Sequence, residues 1–153
     1  MSDKQKNIHA SCVAIGKAGV LLLGPSGAGK SDLALRLIDG GAKLVADDRT
    51  ILFAAKGTLW AKAPASIRGL IEIRGLGIVK LPVQASVKIA LVVNLGKEGM
   101  RLPVHQSWPS PFKGAVPVPQ IRLDARFAST PAKIRAALKA FSQGLFQGTF
   151  NLN

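Results

Sequence analysis

The chain has 153 residues, 48% of them hydrophobic, a mean hydropathy of +0.26 and a formal net charge of +13, which fits one well-cored domain and excludes a disordered chain. Apolar runs such as Val20–Leu23 and Ile89–Val93 fall far short of the ~20 residues that span a bilayer, so no membrane span is expected. The single cysteine, Cys12, cannot close an internal disulfide, and the polar start Met1–Asn7 has no apolar signal core, so we read residues 1–153 as one cytoplasmic domain.

The positive field attracts anions, but Lys and Arg are scattered rather than blocked. Six Phe, two Trp and no Tyr are too few for a base-stacking platform, so nucleic acid is not the expected partner.

In chain order, Ser11–Ile15 and Val20–Leu23 flank Gly16-Lys17-Ala18-Gly19 and predict a hairpin. The second strand runs into Gly24–Ser31, and a helix follows to Asp39. Leu33, Ala34, Leu37 and Ile38 give that helix one apolar face, and Gly40-Gly41 ends it. Lys43–Ala46 predicts a strand that stops at Asp47-Asp48. Thr50–Ala55 and Thr58–Lys62 predict a second hairpin turning at Lys56-Gly57. Ala63–Leu76 reads as irregular with a short strand at Leu70–Ile73, and Val87–Leu95 reads as a strong strand. Pro103, Pro109, Pro111, Pro117 and Pro119 argue against regular structure from Leu102 to Pro119. A last helix opens with Thr130 as N-cap and Pro131 at its first helical position, buries Ile134, Ala137, Leu138 and Phe141, and ends near Gly144. The expected fold is α/β: a single domain with a mixed, hairpin-rich sheet and few helices.

Gly24, Pro25, Ser26, Gly27, Ala28, Gly29, Lys30 and Ser31 fit G-x-x-x-x-G-K-[ST] in full, between a strand and a helix. Such a loop points backbone N–H groups and a helix N-terminus at phosphate oxygens. Lys30 would reach the β- and γ-phosphates, and the Ser31 hydroxyl would ligate Mg²⁺, which makes ATP and Mg²⁺ the expected cofactors. Asp47 and Asp48 end a strand where a phosphate-loop protein needs its acids, one towards the metal and one towards an attacking hydroxyl. Glu72 and Arg74 would share one face of the strand around Ile71 and Ile73. His9 and His105 stand alone in sequence. No CxxC, HExxH or G-x-S-x-G supports a metal-hydrolase or serine-hydrolase reading.

The run GVLLLGPSGAGKSDLALRLIDGGAKLVADDRT and the segment IEIRGLGIVKLPV, with His9 ahead of them, resemble the core and signature of bacterial HPr kinase/phosphorylase. The resemblance covers Ile8–Val93. It implies a serine kinase acting on an HPr-like phosphocarrier of the phosphotransferase system, with phosphorolysis of the phosphoserine as a second activity in many members. It implies Ser31, Asp48 and Glu72 at the metal, Asp47 as base towards the serine, His9 near the transferred phosphate, and Arg74 as the signature arginine. We also expect self-association into a homo-oligomer. Ala10 replaces the usual glycine after the histidine, and a late P-G-R-N-like loop is replaced by Pro117–Arg126, which offers Arg122 and Arg126. With eight residues before His9, the chain resembles a short form consisting of the catalytic domain. A nucleotide-sensing module without turnover, and a small-molecule or phosphoenolpyruvate-carboxykinase-like enzyme, are the rival readings.

Overall fold

The computed structural model describes residues 4–147; Met1–Asp3 of the polar start and the last six residues of the 1–153 domain lie outside that range. Ten strands and two α-helices follow in order: β1 (Gln5–Ile15), β2 (Ala18–Leu23), α1 (Lys30–Asp39), β3 (Lys43–Ala46), β4 (Arg49–Ala55), β5 (Thr58–Lys62), β6 (Leu70–Ile73), β7 (Gly77–Lys80), β8 (Ser86–Leu95), β9 (Gln106–Trp108), β10 (Val118–Leu123) and α2 (Thr130–Gln143). A short 3-10 turn at Ala65–Ile67 precedes β6. The mixed sheet and two-helix count match the expectation.

The main sheet reads β3-β1-β2-β8-β10-β9. β8 runs parallel to β2 and β10, while β1 is antiparallel to both β2 and β3. The unit β2–α1–β3 is therefore a crossover that skips one strand. β1 and β8 are long enough to serve two sheets. The first half of β1 pairs with β4, the start of β8 pairs with β5, and the β4–β5 hairpin closes the far side. That hairpin turns at Lys56 (φ 52°) and Gly57 (φ 76°), the left-handed pair that suits strand twist.

This doubling explains why Ala10–Ile15 of β1 and the whole of β2 are nearly all apolar: both faces are covered there. Val13, Val20 and Leu22 pack with Leu33 and Leu37 of α1 and Ile134 of α2. Their alternates Ala10, Cys12, Ala14 and Leu21 pack with Leu52, Leu59 and Ala61 of the hairpin. Cys12 is fully buried, and burial pushes its thiol well above the usual range, so it is a core residue and no nucleophile.

Three regions differ from the sequence reading. Ala63–Leu76 is followed by β7, which pairs with β6 into a separate two-stranded ribbon. The proline-rich stretch holds β9 and leads into β10, with Pro119 opposite Ser107. Pairing of β10 with β8 begins only at Gln120, so the N–H that Pro119 lacks falls where that ladder has not started. The N-cap of α2 is Ser129, not Thr130; the Thr130 hydroxyl instead donates to the Asp124 carbonyl. The Gly40-Gly41 pair does end α1 as expected, with Gly41 (φ 113°) in the left-handed position.

Four parallel strands, β3, β2, β8 and β10, end on one edge of the sheet. Their continuations are Asp47-Asp48, the loop at 24–29, Gly96–Glu98 and Asp124–Arg126. Such an edge is where open α/β sheets bind ligands.

Candidate active site at the C-terminal edge of the sheet

The loop after β2 winds back on itself. Ala28 N–H donates to the Pro25 carbonyl at 3.0 Å, and Gly29 (φ 95°) turns the chain into α1. A β-carbon at Gly29 would be strained by that φ and would also meet the Ala125 β-carbon at 3.1 Å. Lys30 is buried rather than exposed, and its Nζ donates to the carbonyls of Gly24 (2.6 Å) and Pro25 (3.1 Å). Burial pushes its ammonium below the usual value, and the carboxylates of Asp48 and Asp47 pull it back up.

Asp47 is buried and collects three donors. Ser31 Oγ (2.7 Å) and Ser11 Oγ (3.0 Å) donate to Oδ1, and the Glu72 backbone N–H donates to Oδ2 at 3.2 Å. Ser11 is fully buried, and its oxygen in turn accepts the Asp48 N–H at 3.0 Å, so one hydroxyl ties both acids to β1. Sequence reasoning missed Ser11; its signal is a single hydroxyl within the apolar run Ala10–Ile15.

Asp48 faces outward. Its backbone is left-handed (φ 68°), a sparsely used conformation for a residue with a β-carbon, and its carbonyl is held by Ala10 N–H at 3.0 Å. Its Oδ1 lies 2.8 Å from His9 Nε2, with Asp48 64% and His9 35% exposed. The two acids are thus sorted. Asp47 stands with the Ser31 hydroxyl, and Asp48 stands with His9 at the solvent side.

Within the expected metal set of Ser31, Asp48 and Glu72, no hydrogen bond or ion pair joins the three side chains directly. Ser31 meets Asp47, and Glu72 reaches the site through its backbone while its side chain is exposed. Among the described residues no cluster of three or more His, Cys, Asp or Glu forms a metal centre. The paired oxygens of Asp47 and Ser31 are still the hard donors that Mg²⁺ takes, usually with water and phosphate completing its shell. Arg74 lies in the β6–β7 turn, beyond the strand that was to carry it beside Glu72, and no ion pair joins the two.

Arg126 and Arg122 both have partners. Arg126 forms a fork with Asp124 (Nη2 to Oδ2, 2.7 Å), which holds the Asp124 carboxyl down at about 2. Arg122 Nε donates to the Lys97 carbonyl at 2.8 Å. Arg36 on α1, itself paired with Asp32, donates to the carbonyls of Ala125 and Phe127, clamping residues 124–127 against the helix that starts at the phosphate loop.

A glycine loop between a parallel strand and a helix, with two sorted acids just after the next parallel strand in the chain, defines a phosphate-loop α/β domain. A family model described as the HPr Serine kinase C-terminal domain matches residues 2–103. The chain belongs to that family. HPr kinase/phosphorylase of Lactobacillus acidophilus is 42% identical over 100 residues, 60% of this chain and 31% of the relative. The enzyme of Caldicellulosiruptor bescii is 42% identical over 113 residues, 65% of this chain and 36% of the relative. The chain therefore spans about a third of the length of these curated relatives. A solved structure, the Hpr(Ser) kinase/phosphatase from Coxiella burnetii, superposes with a TM-score of 0.77 at 28% identity and covers 92% of each chain. No helix among the described residues is long and apolar enough to cross a membrane.

Proposed function

We propose that the chain is a Mg-ATP-dependent protein kinase that phosphorylates a serine of an HPr-like phosphocarrier. The observation that carries this reading is the sorting of the two acids, Asp47 with Ser31 and Asp48 with His9, beside one phosphate loop.

The backbone N–H groups of 24–31 and the N-terminus of α1 receive the nucleotide phosphates, and Lys30 turns from the Gly24 and Pro25 carbonyls to the β- and γ-oxygens. Ser31 and Asp47 would hold Mg²⁺, which when bound neutralises charge on the phosphate oxygens. Ser11 and the Glu72 N–H fix the Asp47 carboxylate beforehand, so little reorganisation is needed. Asp48, open to the outside, accepts the proton of the serine hydroxyl as its oxygen attacks the γ-phosphorus and ADP departs. His9 orients that carboxylate from the solvent side. This assignment gives Asp48 the base role and Asp47 the metal role, the reverse of the order carried over with the resemblance. Arg74, on the exposed β6–β7 turn, is a cation for the incoming carrier, and Glu72 fixes the ribbon to the site through its backbone.

The reading is tested by incubating the protein with γ-labelled ATP, Mg²⁺ and purified HPr-type carriers and mapping the label. A phosphoserine on the carrier is the expected result. Label appearing only on a small molecule favours the carboxykinase-like rival, and nucleotide binding without any transfer favours the sensing module. Light scattering of the same sample tests the expected homo-oligomer.

A further inference from the structure

A buried hydroxyl needs a reason, because taking it out of water costs free energy unless it is bonded. Ser11 is fully buried in β1, on the same strand face as Val13, which packs into the apolar cluster beneath α1. Its two bonds serve neither its own strand nor that cluster. The hydroxyl donates to Asp47 Oδ1 at 3.0 Å, and its oxygen accepts the Asp48 N–H at 3.0 Å.

The sheet register shows why the second bond is needed. Cys12 lies opposite Ala46 of β3 and His9 opposite Arg49 of β4, so Ser11 and Ala10 stand across from Asp47 and Asp48. The ladder is interrupted there. Ala10 N–H still reaches the Asp48 carbonyl at 3.0 Å, but Asp48, with its φ of 68°, sends its own N–H to the Ser11 hydroxyl instead of a backbone carbonyl. The hydroxyl stands in for the missing ladder acceptor and holds the turn that aims the Asp48 side chain outward.

The first bond matters at Asp47. Ser31 and Ser11 both donate to Oδ1. Once Ser31 turns its oxygen to Mg²⁺, Ser11 and the Glu72 N–H are the donors left to hold the Asp47 carboxylate. The two bonds also reinforce each other. The chain Asp48 N–H to Ser11 O–H to Asp47 carboxylate runs in one direction, so each bond polarises the next.

We infer that Ser11 is a positioning residue for both acids at once, coupling the orientation of the metal-side carboxylate to the backbone that carries the base. The inference rests on the kinase reading above and extends it: β1 itself sets the division between the acids.

The test compares wild type with Ser11→Ala, Ser11→Thr and Cys12→Ala. Cys12 is the next residue of β1, equally buried and bonded to neither acid, so its variant controls for a loosened strand. Amide exchange at Asp48, calorimetric ATP affinity with and without Mg²⁺, and kcat at saturating Mg²⁺ are measured on each. Ser11→Ala should speed exchange at Asp48 and lose roughly tenfold in ATP affinity with Mg²⁺ but none without it. Its kcat should fall by roughly 10–100-fold. Ser11→Thr, which keeps the hydroxyl, should restore all of these, and Cys12→Ala should leave them at wild-type values. Wild-type exchange and Mg²⁺ dependence in Ser11→Ala overturn the inference, and an effect confined to one of the two acids overturns the coupling. A folded Ser11→Thr that behaves like Ser11→Ala, or a Cys12→Ala that reproduces its losses, shows that the strand and not the hydroxyl is responsible. Exchange and Mg²⁺-dependent binding need no carrier. A wild type that binds ATP without transferring label therefore overturns the kinase reading separately, while those two readouts still decide the role of Ser11.

Discussion

Asp48 keeps a left-handed backbone that a residue with a β-carbon adopts at a cost. Asp48→Gly should therefore hold or slightly raise the melting temperature while abolishing transfer, measured by calorimetry and label transfer on the same preparation. Asp48→Asn should lower kcat by roughly 10²–10⁴-fold with the ATP Kd nearly unchanged. Asp47→Asn should behave differently. Its new amide would turn a donor towards one of three existing donors, so stability should fall by about 1–3 kcal/mol, and the Mg²⁺ titration of activity should move to higher metal. Indistinguishable titrations for the two asparagine variants would contradict the sorting of the acids. Lys30 differs from the exposed lysine that the motif suggests. It is buried against two carbonyls, so Lys30→Ala should remove phosphate binding and also cost some stability. The motif, the paired acids and His9 were all readable from the sequence. Which acid meets Ser31 was not, because it depends on the Asp48 backbone and on Ser11 from a strand 36 residues away.

Elements defined by local signals were legible. Both helices, both early hairpins and the strand at Val87–Leu95 follow from periodicity, glycine turns and β-branched runs. β7, β9 and β10 were not, since each is stabilised by a partner rather than by its own composition, and Pro119 hides a strand whose donor is not needed at that point. The segment 124–127 joins the site the same way, through carbonyls held by Arg36 and a carboxylate held by Arg126. Asp124 has a folded-state pKa lowered from 3.8 to about 2. A lowered carboxylate contributes stability that is complete above its unfolded value and is lost as pH falls from there towards 2. Arg126→Ala should remove that contribution, lowering the melting temperature at neutral pH and moving the acid-unfolding midpoint to higher pH. An unchanged acid limb in a calorimetric pH series would show that the fork does not hold this loop.

At the scale of the whole molecule, direction of reaction is the sharpest consequence. Phosphorolysis needs free phosphate to bind where the γ-phosphate sat, without the nucleoside contacts that anchor ATP. Arg122 and Arg126, the cations in place of the P-G-R-N-like loop, are engaged with Lys97 and Asp124. Transfer to the carrier should therefore exceed pyrophosphate release from phosphoserine carrier at millimolar phosphate, both rates being measured on one preparation. Comparable rates would mean that these arginines leave their partners readily. The +13 net charge adds a general attraction for an acidic carrier, so the apparent KM for the carrier should rise with salt.

The central claim, that this edge of the sheet moves a phosphoryl group from ATP to a serine hydroxyl, is met most directly by a single-turnover experiment. Protein saturated with γ-labelled ATP and Mg²⁺ is mixed rapidly with an HPr-type carrier, and the label on serine is followed in time for wild type and Asp48→Asn. The account predicts label on serine within the first wild-type turnover, and bound but untransferred ATP in Asp48→Asn. Label reaching serine at the wild-type rate in Asp48→Asn, or none reaching it in a wild-type protein that binds ATP, would contradict it.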